Sequence, residues 1–160
     1  LLLALADGSE AVQFSRFAQG SDNATHVDAH TMALHPAALA IRLYNHHAGG
    51  MDLVGCSIAP APPDAAAPGV PALVAYAFKG RRRNCVLLLN RSSTTAYQAT
   101  LEWSAGGGQA RGYRIAAGNP LANNLNEIQV KTEEFDADPA TGITVPAHSL
   151  VLVETREVEA

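Results

Sequence analysis

The sequence predicts a mainly β (α+β) chain, an antiparallel β-sandwich of about seven to eight strands preceded by a short helical segment. Three observations predict it. Residues 35–50 carry the punctuation of a single helix, the apolar period switches from helical to alternating at Met51, and short apolar runs separated by turn residues fill the remainder. They divide the chain into a helical segment over 1–50 and a β-sandwich domain over 51–160.

The 160 residues are 48% hydrophobic and 16% charged, with a formal net charge of −4. That composition suits a globular domain with its own core and provides no overall basic field for nucleic acid. No apolar run approaches the ~20 residues that span a bilayer, so no membrane partner is expected. Leu1-Leu2-Leu3-Ala4-Leu5 has no basic flank and is too short for a signal peptide, so it reads as helix. With no initiating Met, the chain is expected to be a processed product or a piece of a longer protein.

Taken in order, Ser9 as N-cap and Gly20 as stop bound a helix over about 10–19, with Val12, Phe14, Phe17 and Ala18 on one face. A turn at Ser21-Asp22-Asn23 leads to a short strand over 24–32. Pro36 suits the first helical position and Gly49-Gly50 the C-terminal stop, which predicts about thirteen helical residues. Leu39, Leu43 and Tyr44 with Ala40 form the buried stripe, and Arg42 and Asn45 face away.

Beyond the helix, 51–58 reads as a strand and 59–71, with five prolines, as a stiff loop barred from a central ladder. Residues 73–78 and 85–89 form a hairpin around the basic tip 79–84, and the unbroken apolar run at 85–89 marks a central strand covered on both faces. In 97–103, Tyr97, Ala99, Leu101 and Trp103 alternate with polar residues and define a core face. A glycine turn at 106–108 and strands at 112–115, 128–131, 143–145 and 149–155 complete the pattern, with no internal repeat.

Motifs that carry chemistry are sparse. His26 and His30 are four residues apart with His35 following, but no Glu or Cys pair completes a zinc pattern, so no metal is expected. His46 and His47 lie at the negative end of the helix, which favours their protonated form. The absence of a nucleophile elbow, a phosphate-binding loop and a dinucleotide fingerprint leaves no cofactor to expect. The carboxylates of 133–138 read as a solvated loop, and Arg81-Arg82-Arg83 as a solvated tip. Cys56 and Cys85, both in apolar strand-like runs, predict two buried free thiols, with one cross-strand disulfide as the alternative. Asn23 and Asn90 open N-glycosylation patterns. Trp103 and Tyr97 are sugar-stacking candidates whose shared face makes them core residues first.

Three segments carry a resemblance: residues 9–24, residues 35–50 and Pro146-Ala147-His148-Ser149-Leu150-Val151-Leu152-Val153-Glu154. Together they resemble the C-terminal third of retaining α-L-arabinofuranosidases and related glycoside hydrolases built on a (β/α)8 barrel. The resemblance implies a late barrel helix, the last barrel helix and the closing strand of the β domain. In such enzymes two carboxylates on earlier barrel strands, ~5 Å apart, act as acid/base and nucleophile, and this sequence has neither position. If 24–32 is the last barrel strand, His30 and Thr31 at its C-terminal end are the candidate substrate contacts. No catalytic residue is therefore assigned.

The resemblance implies an accessory domain, non-catalytic as an isolated chain, that packs on and stabilises a barrel outside it. Its expected partner is that barrel, or another subunit, held through the helical segment. Two alternatives are a self-standing carbohydrate-binding module, which would need exposed aromatics, and a structural or protein-interaction domain.

Overall fold

The computed structural model describes residues 27, 33–59, 63–64, 67–102, 110–119, 121–124 and 128–156. The stretch 1–5, the helix expected over 10–19, the turn at 106–108 and all of the strand expected over 24–32 except Val27 lie outside them. Val27 is buried and forms an isolated antiparallel bridge with Leu34.

Helix α1 spans Pro36–His47. Pro36 begins it because a proline's missing N–H is no loss in the first turn and its φ is already helical. At the other end the Ala48 and Gly49 N–H groups both donate to Tyr44 O, at 2.8 and 2.9 Å, and Gly50 turns the chain with a φ of 76°. Ala38, Leu39, Leu43 and His47 are buried, Ala40 and Tyr44 are half-buried against the same cluster, and Arg42 and Asn45 are exposed. The stripe thus follows the expected helical spacing and extends one turn further, to His47.

The strands are β1 (Asp52–Val54), β2 (Pro63–Asp64), β3 (Ala67–Pro71), β4 (Leu73–Lys79), β5 (Arg83–Asn90), β6 (Tyr97–Ala99), β7 (Ala110–Ala116), β8 (Lys131–Ala137), β9 (Ile143–Val145) and β10 (Ser149–Arg156). Six of them form one sheet in the order β1-β4-β5-β10-β7-β8, and all its pairings are antiparallel. β5 and β10 occupy the middle because their apolar runs suit both faces, whereas the polar β8 lies at an edge. Two small sheets, β2–β3 and β6–β9, complete the described strands.

Alternation along the strands splits the large sheet into two apolar faces. Cys85, Leu87, Leu152, Ile115 and Phe78 meet Leu39 and Leu43 of α1. On the opposite face, Val86, Leu88, Val151 and Val153 meet Ile143 and Val145 of β9, with Tyr97, Ala99 and Leu101 half-buried around them. The sandwich therefore has one broad layer and one narrow layer, and α1 covers the other side of the broad one. The hairpin β4–β5, the central position of β5 and the strands at 143–145 and 149–155 agree with the sequence pattern.

Four expectations are corrected. The strand of 51–58 shortens to Asp52–Val54, an exposed edge, so Cys56 beyond its end is exposed while Cys85 is buried; both are free thiols. The proline-rich stretch contains the β2–β3 hairpin, which stays apart from the large ladder because proline removes a donor. The strand expected over 128–131 begins only at Lys131, since Asn124 Oδ1 accepts the N–H groups of Gln129 and Val130 that a ladder would use. Finally, most of the carboxylate-rich run is not loop but strand: Glu133, Glu134 and Asp136 lie in β8, where they pair in register with Arg114, Tyr113 and Arg111 of β7, and only Asp138 lies in the turn beyond it.

Candidate functional site: the seam between the helix and the sheet

β10 places Glu154 on the helix-covered face, and the helix stripe places His47 above it. Glu154 is 2% exposed, and its Oε2 lies 2.8 Å from His47 Nδ1. An ionised carboxylate only accepts, so this contact puts a proton on Nδ1. Arg83 Nη1 approaches Glu154 Oε1 at 3.8 Å from the start of β5, so the third arginine of the basic tip is tied to this carboxylate and not merely solvated. Two further contacts complete the seam. Cys85 Sγ donates to the His47 carbonyl at 3.2 Å, and the Tyr113 ring stacks on the His47 ring at 3.9 Å with a tilt of 32°. Burial, reinforced by the Glu154 charge, pushes the Cys85 thiol up to about 12.

Outside this pair opens a cleft of about 480 Å³ between α1 and the β7–β8 edge. The helix contributes Arg42, Leu43, His46 and His47 to it. The strands contribute Tyr113, Thr132 and Glu134. Glu134 is held by Arg111 Nη1 at 3.1 Å, and Arg111 also reaches Asp136 at 3.5 Å. The cleft therefore has a partly apolar floor and a rim carrying both signs of charge.

The sequence-based candidates fall elsewhere. His30, Thr31 and Trp103 lie outside the described residues, as does the Asn23 pattern. Tyr97 is half-buried on the β6–β9 side, packed against the core cluster of that face. His35 is buried at the helix start, its Nε2 has no hydrogen-bond partner, and among the described residues no group of three metal-ligating side chains occurs. Asn90 is buried: its amide donates to the carbonyls of Thr95, Val145 and Pro146 at 2.8, 3.0 and 2.8 Å, so the side chain ties β5 to the turn before β10 and is withdrawn from a glycosyl group. Sequence reasoning passed over Glu154 and Tyr113; a lone Glu in an apolar strand was the available signal for the first.

Several solved structures share the fold. An arabinofuranosidase crystal structure superposes with a TM-score of 0.69 at 18% identity, covering 97% of this chain and 36% of that one. The chain shares the fold of part of an arabinofuranosidase. The GH51 arabinofuranosidase from Xanthomonas axonopodis pv. citri matches with a TM-score of 0.58 at 17% identity, over 78% of this chain and 27% of that one. A family 30 glycoside hydrolase, a subfamily 8 xylanase from Clostridium acetobutylicum, matches at 0.55 and 11% identity, over 86% of this chain and 32% of that one. The chain thus spans about a third or less of the solved chains it resembles. No protein-family model matches the sequence, and comparison with curated proteins gives no significant match.

Proposed function

We propose that the chain is the β-sandwich part of a glycoside hydrolase, packing on and stabilising a catalytic (β/α)8 barrel outside these residues and performing no hydrolysis by itself. The observation that carries this reading is the fold match, which takes in nearly the whole chain, helix included, yet only a minor part of an arabinofuranosidase.

Two features support it. Glycoside hydrolysis uses a pair of carboxylates flanking the scissile bond, and among the described residues lining the cleft Glu134 is the one carboxylate, already engaged by Arg111. Glu154, the other carboxylate of the seam, is buried against His47 and serves the attachment of α1 to the sheet. At the N-terminal end of that helix, Asn124 Nδ2 donates to Leu34 O at 2.7 Å, and the same segment carries Leu121 and Ile128, which are 81% and 58% exposed. Large apolar side chains left in water beside the helix start suit a surface that a barrel covers.

The test is an assay of the purified chain on aryl arabinosides and xylosides, alone and with an arabinofuranosidase-type barrel expressed without its own sandwich. No sugar release alone and a stable complex with the barrel are expected. Turnover abolished by replacing one of the chain's own carboxylates overturns the non-catalytic role, and failure to associate overturns the docking role.

A further inference from the structure

We infer that the basic tip of the β4–β5 hairpin is a docking surface for a short acidic segment of another protein. Lys79 ends β4 and Arg83 begins β5, and the Gly80 N–H closes the bend by donating to Arg83 O at 2.9 Å, which leaves Arg81 and Arg82 at its apex. Lys79, Arg81 and Arg82 are exposed, so core packing does not account for them. Turn chemistry does not account for them either, because tight hairpin bends favour Gly, Asn and Asp. Four cations within residues 79–83 repel one another in a chain whose net charge is −4, and Arg81 has no ion-pair partner among the described residues. Arg83 is anchored, with its Nη1 3.8 Å from the buried Glu154 Oε1, so one side of the patch is in place before a ligand arrives.

Charge and size select the ligand. A guanidinium presents a planar fork that matches a carboxylate. Screening over ~8 Å confines the attraction to the tip, and neighbouring strands stand only ~4.8 Å apart. Asp52, in register with Lys79 on β1, bounds the patch on that side. A few carboxylates fit this span, whereas a long nucleic acid or a membrane face would also meet the remainder of a net-negative chain. The tip lies at the C-terminal end of α1, where Met51 packs beside Gly80 and Glu154 links Arg83 to His47. Leu121 and Ile128 belong to the segment tied to the other end of the helix, so the tip is a second surface, independent of barrel docking.

The experiment is an NMR titration of the full 160-residue chain with hexaglutamate, compared with hexaglutamine, inorganic phosphate and a short single-stranded oligonucleotide. Saturable shifts at Lys79, Gly80, Arg81 and Arg82 are expected with hexaglutamate, weakening as salt is raised, and none with hexaglutamine. Arg81→Gln should weaken binding about threefold, the worth of an exposed ion pair. Its thermal midpoint should stay unchanged, since Arg81 is exposed. No saturable shift, shifts centred away from the tip, insensitivity to Arg81→Gln, or tighter binding of phosphate or the oligonucleotide at the same residues overturns the assignment. Failure of peptide binding with barrel association intact counts against the basic tip alone, and the reverse result counts against barrel docking alone.

Discussion

Glu154 occupies a strand position that an apolar pattern assigns to a hydrophobic side chain, and its burial is tolerated because His47 and Arg83 face it. Removing one member of a buried pair leaves the other desolvated and uncompensated, so Glu154→Ala should cost about 3 kcal/mol or more in urea denaturation. Replacing both Glu154 and His47 by leucine should recover much of that loss, because apolar packing replaces the pair. The two thiols differ in a measurable way. Native protein should react with a thiol reagent at Cys56 alone and at both cysteines once unfolded. Cys85 also sets a pH dependence. Its folded pKa is raised to about 12, so its contribution to stability is complete below the ordinary thiol value of about 8.5. That contribution is lost progressively as pH rises toward 12, and Cys85→Ala should flatten the decline in alkaline denaturation. Little of this was legible in the chain: a Glu at the end of an apolar run and a His at the end of a helix lie 107 residues apart, and only packing brings them together.

At the scale of elements, β8 departs most from the sequence pattern. Four carboxylates in six residues read as solvated loop; all four are exposed, but Glu133, Glu134 and Asp136 lie along the edge of a sheet where one side of the strand is paired, and only Asp138 is in the turn that follows. Arg114 supplies part of the reason, with its Nη2 2.7 Å from Glu133 Oε2 and its guanidinium 5.6 Å from the Phe135 ring centre. Gly112 supplies the rest. It stands opposite Phe135 in the ladder, and a Cβ there would run into the ring. Gly112→Val should therefore destabilise the protein by about 1–3 kcal/mol, read as a lowered denaturant midpoint, and adding Phe135→Ala should relieve part of the steric cost. β5 and β10, by contrast, were readable because a run apolar on both faces has few other places to go. The same holds for α1, whose start and stop are written in Pro36 and Gly49-Gly50.

For the whole molecule, the exposed apolar pair Leu121 and Ile128 is the surface on which the proposed docking can be tested. Changing both to Asp should leave the thermal midpoint nearly unchanged, as surface substitutions do, and abolish barrel association in size-exclusion chromatography. A large drop in thermal midpoint would instead show that both residues serve the chain's own core. The sequence by itself determined the helix boundaries, the β4–β5 hairpin, the central strands and the mainly β class, because periodicity and turn chemistry are local properties. It could not determine that α1 covers one face of the large sheet while β6 and β9 cover the other, since both faces present similar aliphatic side chains. Nor could it place His47, Glu154 and Tyr113 in one seam beside a cleft. Those choices depend on which strands pair and which face the helix meets, and long-range packing decides both.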